Sequence, residues 1–529
     1  MERARRLVGR RGTTGGGGEA RGRRTRAVRG ALAAVAALTT LTGLLAAAPA
    51  AATDRPAARR AVPLPPELEE IRAEWARALY GDPAPRPVEE RKTALISLGD
   101  SEISGEGVGT YEPGTDGPDN WCHRSPDAAV HRTGIPVDVT YNVACSGAST
   151  DNVRIGGRKQ YADELVQSDS LAIAARTTRL SMVLLVVGAN DDLRFGPVMT
   201  DCVARWFLLR GPCAPTYADG WQARIDGLVP KVERTARDLR TVMREAGYAD
   251  DDYRLVLLGY PGPIGPDVRD NPHYRGKLPG GCTVHDEDAR WARDHAVPLF
   301  ATGMREAARR AGVTFLDASR LFHGHEVCME APRARGLWVD PTNPFPPDFN
   351  SVRQSFHPNH RGHGAFAACL TRLHGTEARE ASCADAAGTG SPALYAGAWD
   401  DHFAPLRNVA WSTCLGVDGT TGRNGTPVRL GDCDGGRHQG WWYDAEQRAL
   451  HVELTHDRCV DVPGGRHEAG VAVRLYDCHG GAGRRFVRDG DTLRPEAARE
   501  LCLTAPGPRE TVRLRPCDGS DRQRFVREG

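Results

Sequence analysis

Three short polar turns carry the residue types that could do chemistry: Gly99-Asp100-Ser101, Cys145-Ser146-Gly147 and Gly188-Ala189-Asn190-Asp191. A serine hydroxyl is a weak nucleophile. Ser101 therefore needs a base within hydrogen-bond reach and N–H donors aimed at the oxyanion that its attack creates. Gly99 permits the tight turn that sets such a serine off a strand end. Alone, a serine in that place reads equally as a helix cap. Asp100 reads as the residue that holds the turn rather than as a second base. A cysteine nucleophile is disfavoured, because the 14 cysteines are an even number and pairing leaves none over.

Each turn follows an apolar run. Strands are expected over 93–98, 137–144, 180–187, 253–258 and 313–316. Helical stretches lie between them at roughly 158–174, 219–246 and 286–312, with a last one near 361–373. Strands that alternate with helices and are apolar on both faces indicate a parallel sheet covered on both sides. In such sheets reactive groups sit at the carboxyl ends of the strands, where the three turns fall.

Gly99-Asp100-Ser101 with Gly105 and Gly107 resembles the first block of the SGNH (GDSL-type) hydrolases. Gly147 resembles the second block, Gly188-Ala189-Asn190-Asp191 the third, and Ser355-Phe356-His357-Pro358-Asn359 the fifth. The resemblance spans about residues 93–374. It implies a three-layer αβα fold and a Ser101 nucleophile with His357 as its base. It also implies an oxyanion hole made by the backbone N–H groups of Ser101 and Gly147 and the side-chain amide of Asn190. The fifth block departs from the common pattern, because Gln354 stands where an aspartate is usual. Similarity to secreted actinomycete members of the family then implies a Ser-His dyad, with the backbone carbonyl of Gln354 orienting the imidazole. Asp340 or Asp348 folding back as a third member is the alternative. His360 and His363 stand at helical spacing from His357 and read as surface residues with local roles.

The last quarter of the chain repeats. Cys414-Leu415-Gly416-Val417, Cys459-Val460-Asp461-Val462 and Cys502-Leu503-Thr504-Ala505 are spaced 45 and 43 residues apart. Each unit places Val-Arg-Leu (from Val428, Val473 and Val512) five residues before a second cysteine, and an aromatic (Trp441, Phe486, Phe525) eight residues after it. Three such units closing on one apolar centre make an all-β trefoil. The repeats resemble the ricin B-type lectins, which implies a sugar site at Asp461 and Tyr476 of the second unit. Gly483 stands where a partnering asparagine is usual. The first unit, with Gly416 and Gly431, and the third, with Thr504 and Arg515, lack the pair. Gln439-Gly440-Trp441 and Gln523-Arg524-Phe525 then read as core.

Composition sets the remaining bounds. With 69 basic and 68 acidic residues, nothing in the total calls for a nucleic-acid partner. The first 30 residues hold ten arginines and lead into an apolar run, 31–52, that ends Ala48-Pro49-Ala50-Ala51-Ala52. This is the pattern of an export signal, with a membrane anchor as the alternative. Export fits the even cysteine number, and sequential disulfides are expected: Cys122 with Cys145, Cys202 with Cys213, Cys282 with Cys328, Cys369 with Cys383, Cys414 with Cys433, Cys459 with Cys478, and Cys502 with Cys517. No Cys-x-x-Cys pair occurs, so neither a metal nor a cofactor is expected.

The expected organisation is an export signal (1–52), a lead-in (53–91) with a short helix near 68–80, a hydrolase domain (92–383), a linker (384–405) and a trefoil (406–529). The expected function is that of a secreted, monomeric carboxylic-ester hydrolase, a lipase or broad esterase, with a sugar-binding-type module. Its substrate is an ester of a lipid or an acylated glycan, and the trefoil has a polysaccharide as its expected partner. The alternatives are a polysaccharide O-acetyl esterase anchored by its trefoil, and a sugar-binding protein with a decayed hydrolase domain. The intact serine, glycine, asparagine and histidine blocks argue against decay.

Overall fold

Among the described residues of the first 400, seven strands build one layer: β2 (Thr93–Gly99), β3 (Val139–Asn142), β4 (Arg179–Val186), β5 (Arg254–Leu258), β6 (Thr314–Asp317), β7 (Glu380–Ala384) and β8 (Ala393–Ala396). A two-residue strand, β1 (Val8–Gly9), adds to one edge, giving the order β1-β3-β2-β4-β5-β6-β7-β8. The strands from β3 to β7 run parallel. β1 and β8 close the edges antiparallel. The computed structural model describes residues 8–9, 61–266, 276–329, 331–337, 352–385, 390–418, 422–455, 458–478 and 480–528. The expected export signal therefore lies outside the described residues, apart from the backbone of Val8–Gly9. Among the described residues no helix is long and apolar enough to cross a membrane.

Six consecutive residues of β2 are buried, which requires cover on both faces of the sheet. Helices supply it. The longest are Ala214–Glu245, Val297–Ala311, Pro66–Tyr80 and His360–His374. β2 has β3 on one side and β4 on the other, so the crossover out of β2 (to β3) and the crossover out of its neighbour β4 (to β5) run in opposite directions. The carboxyl end of β2 is thus a topological switch point, the place where an open parallel sheet leaves a crevice between diverging loops.

Two helices differ from the sequence reading. The stretch expected from 158 becomes helical only at Gln167–Thr177. Ahead of it, Asn120 and Arg124 bond the Glu164 carboxylate, and Asp151 pairs with Arg158, so these cross-links hold a loop against local propensity. The helix Phe195–Phe207, with Gly196-Pro197 in its first turn, is absent from the sequence reading. A proline in the first turn, however, removes only an N–H that has no partner there. The segment expected as a linker is also structured. Within it, β8 pairs with β7, and Trp399 is buried with Ala384 and Phe403 against Trp442.

In the C-terminal region the three repeats form equivalent hairpins: strand Cys414–Val417 with Val428–Gly431, Arg458–Asp461 with Arg474–Asp477, and Leu501–Thr504 with Arg513–Pro516. The repeated valines close a ring. Val428 N–H donates to Val473 O (3.3 Å), Val473 N–H to Val512 O (3.0 Å) and Val512 N–H to Val428 O (2.9 Å). Behind this ring Leu430, Leu475 and Leu514 share one core with Trp441, Phe486 and Phe525. The region is all-β with threefold internal symmetry. Seven disulfides join the cysteines in sequential order throughout the chain.

Candidate active site

Ser101 stands at the switch point because Gly99 can turn there. Gly99 has φ +130°, and a Cβ on it would lie 1.8 Å from Val186 O, so only glycine fits. Gln167 grips the same peptide from the other side, accepting from Gly99 N–H (2.6 Å) and donating to Gly99 O (2.9 Å). Asp100 caps the turn. Its carboxylate accepts from Glu102 N–H (3.0 Å) and from the Tyr260 hydroxyl (2.6 Å). Burial nonetheless pushes the Asp100 carboxyl up to about 7. It bonds neither Ser101 nor His357, in keeping with a structural place.

His357 reaches Ser101 from 256 residues away, with Nε2 2.8 Å from the hydroxyl oxygen. Its Nδ1 lies 3.0 Å from the backbone carbonyl of Ser355. That acceptor corrects the sequence reading, which placed the carbonyl on Gln354. Phe356 takes a left-handed conformation (φ +63°), and this sharp bend brings the Ser355 carbonyl to the ring. The Gln354 side chain instead accepts from Arg335. Arg335 also clamps the bend, accepting from Phe356 N–H (2.7 Å) and donating its own N–H to His357 O (2.8 Å). A carbonyl can only accept, so Nδ1 carries the proton and Nε2 presents its lone pair to Ser101. Burial lowers the His357 pKa below its usual value, with the Arg353 charge acting in the same direction and the Arg353 backbone against it. Glu106 and the Ser355 carbonyl oppose the shift. Asp340 and Asp348 lie outside the described residues.

The other two loops are tied to each other. Asn190 donates to Ala148 O (2.9 Å), and Asp191 accepts from the Thr150 hydroxyl (2.6 Å) and N–H (3.0 Å). Gly147 immediately precedes these contacts, with φ +81°. Cys145 N–H donates to Gly99 O and Ser146 N–H to Cys122 O, both at 3.0 Å, and the Cys122–Cys145 disulfide covers this junction.

The sequence reading missed a buried charge system beside these loops. Glu106 is fully buried, with both carboxylate oxygens 2.8 Å from His123 Nδ1. Asp116 meets the other ring nitrogen at 3.1 Å. Tyr111 stacks on His123 at 4.3 Å. Burial alone would raise the Glu106 pKa, but His123, then His357 and Arg353, hold it below its usual value. Arg353 donates to the carbonyl (3.1 Å) and hydroxyl (3.0 Å) of Ser146, next to Gly147. The available signal was a carboxylate wedged between two glycines just past the serine. His363, read as a surface residue, is buried. Its Nδ1 accepts from Ala129 N–H at 3.3 Å, and burial drops its pKa to about 3. His360 is exposed.

At the second repeat Asp461 is buried, and both of its oxygens are engaged, by Arg474 at 3.0 Å and Arg484 at 3.4 Å. The same two guanidiniums lie over the Tyr476 ring, each 4.9 Å from its centre. A Cβ at Gly483 would come within 2.7 Å of Val462 O, so no side chain fits there. Gln439 and Gln523 brace backbone turns, accepting from Asp434 N–H (3.0 Å) and Asp518 N–H (2.9 Å). A cleft of about 250 Å³ lined by Trp442, Arg488 and Arg527 lies on the trefoil side, away from Ser101. Among the described residues, each group of His, Cys and carboxylates close enough to share an ion includes a disulfide pair, whose sulfurs are not thiolates.

The fold is a largely parallel α/β sheet domain joined to a β-trefoil, with Ser101 and His357 in contact at the carboxyl end of the sheet. The GDSL-like Lipase/Acylhydrolase family model matches residues 97–365, about half the chain, and the chain belongs to that family. The ricin-type beta-trefoil lectin domain model matches residues 402–525. The chain is similar to Lipase 2 of Streptomyces coelicolor, 29% identical over 253 residues, which is 46% of this chain and 75% of the relative. It is also similar to a lipase of Streptomyces rimosus, 28% identical over 273 residues, which is 50% of this chain and 85% of the relative. Among solved structures, phospholipase A1 from Streptomyces albidoflavus is 24% identical, over 52% of this chain and 97% of its own, with a TM-score of 0.36. The protein is a lipase/esterase-type hydrolase that carries a lectin-type domain.

Proposed function

We propose that the chain is a secreted serine carboxylic-ester hydrolase working through an acyl-enzyme on Ser101. The single observation that carries this reading is the 2.8 Å contact between Ser101 Oγ and His357 Nε2, with the ring tautomer set by the Ser355 carbonyl. His357 takes the serine proton as Oγ attacks the ester carbonyl and returns it to the leaving alcohol. Water repeats the cycle on the acyl-enzyme. The N–H groups of Ser101 and Gly147 and the amide of Asn190 receive the oxyanion. In this reading residues 92–383 form the catalytic domain, and 384–405 are a packed junction. Residues 406–529 form a glycan-binding module whose site, Asp461 with Tyr476, opens when a ligand displaces Arg474 or Arg484. Seven disulfides and the Arg-rich, Ala-rich start support export.

The test is release of p-nitrophenol from short- and long-chain acyl esters by the wild type and by Ser101→Ala. The variant is expected to lose several orders of magnitude in turnover. Equal rates would dispose of the reading. Chain-length preference separates a lipase from an acetyl esterase.

A further inference from the structure

The helix Phe195–Phe207 starts four residues after Asp191 and ends in an apolar crest, Trp206-Phe207-Leu208-Leu209. Phe207 is 48% exposed, Leu208 60% and Leu209 92%. Among the described residues, the other exposed large apolar side chains stand apart along the chain. Scattered apolar residues are ordinary on a surface, but three in a row at one tip are not. Trp206 packs edge-on to Phe207 at 5.1 Å.

The crest is also held rigidly. The Cys202–Cys213 disulfide closes its base, with both cysteines buried. Leu208 N–H donates to Ala204 O (2.9 Å), Leu209 N–H to Trp206 O (3.2 Å) and Arg210 N–H to Arg205 O (2.9 Å). The backbone N–H groups of the crest are therefore satisfied internally, as an apolar environment demands. Leu209 adopts φ +52°, an unfavourable conformation for a leucine, and holds its side chain in solvent. Cationic side chains flank the apolar run. Arg210 is exposed, while Arg205 is paired with Asp201 at 2.9 Å. Aromatic and aliphatic groups at the tip with guanidinium at the base match the layering of a lipid surface, apolar inside and anionic at the headgroups.

We propose that the disulfide-closed crest 206–209 is an interfacial anchor that seats this hydrolase on aggregated lipid, with the serine loops at the amino-terminal end of the same helix. The proposal deepens the ester-hydrolase reading, on which it rests, by assigning a lipid-phase substrate.

The experiment uses the full chain with Ser101→Ala, so that binding is read without hydrolysis, and mixed phosphatidylcholine–phosphatidylglycerol vesicles in a sedimentation assay. Adding Phe207→Ser and Leu209→Ser is expected to weaken vesicle partitioning on the order of tenfold or more, since two apolar side chains leave the interface. The same pair of substitutions on active enzyme is expected to leave hydrolysis of a soluble short-chain ester unchanged and to depress hydrolysis of emulsified ester. Vesicle binding undiminished by the substitutions, or absent from the parent protein, overturns the anchor. Absence of soluble-ester hydrolysis in the wild type overturns the ester-hydrolase reading instead, so the two failures are distinguishable.

Discussion

Asp100→Asn is a perturbation whose size the structure sets. The Asp100 carboxyl is fully buried beside Ser101, and burial raises its pKa from 3.8 to about 7. The Tyr260 and Glu102 hydrogen bonds work against that rise, and Asp191 adds to it. The folded chain therefore holds this proton more tightly than the unfolded chain does. Stability is fully present below about 3.8, falls as pH rises, and stops falling above about 7. With those two values the ionisable group costs the fold about 2 kcal/mol at pH 5 and about 4 kcal/mol at pH 8. Asparagine has the same shape, keeps an acceptor for Glu102 N–H and can donate to the Tyr260 oxygen, yet does not titrate. The stability gap between variant and wild type is thus expected to widen in favour of the variant by roughly 2–3 kcal/mol from pH 5 to pH 8. Equilibrium urea unfolding of both proteins at the two pH values measures it. A gap that stays constant, or widens in the other direction, refutes the linkage. Soluble-ester turnover is expected to survive the change, because the carboxylate touches neither Ser101 nor His357.

Glu106→Gln removes a charge that raises the His357 pKa, so the neutral base persists to more acid solution. The acid limb of the kcat/KM–pH profile is expected to move to lower pH, and an unmoved limb would show that Glu106 does not act on the base. Replacing Cys122 and Cys145 together by serine opens a loop of sequence separation 23, for which chain entropy gives a loss of about 3.4 kcal/mol. Urea unfolding reads that loss. Activity at low temperature is expected to remain, since the backbone bonds from Cys145 to Gly99 and from Ser146 to Cys122 do not need the sulfurs.

The legible parts of the chain were those whose signal is local. Apolar runs ending in Gly-Asp-Ser and Gly-Ala-Asn-Asp mark strand ends, and the structure puts β2 and β4 there within a residue. The repeated valines gave the trefoil, because a ring of three hydrogen bonds needs the same residue at the same place in each unit. What stayed hidden depends on partners far along the chain. Nothing near Glu106 announces that His123 will fold onto it. Nor does the sequence around Gln354 reveal that Phe356 bends left-handed and hands the acceptor's place to Ser355. Asp461 and Tyr476 likewise fit a sugar-site pattern by spacing. Only the folded structure shows that Arg474 and Arg484 already occupy both.

The absence of an aspartate at position 354 acquires a physical sense from these contacts. A triad carboxylate does two things at once: it orients the imidazole and it stabilises the imidazolium. In the proposed mechanism the two are divided. Orientation comes from the Ser355 carbonyl, fixed by the Phe356 bend and the Arg335 clamp. Negative charge favouring the imidazolium comes from Glu106, which the His123 pair keeps ionised in a fully buried place. Low dielectric lets such a charge act without touching the ring. Arg353, bonded to Ser146 beside Gly147, pulls the other way on His357. The same cation therefore disfavours a protonated base and adds positive charge beside the loop where the oxyanion would form.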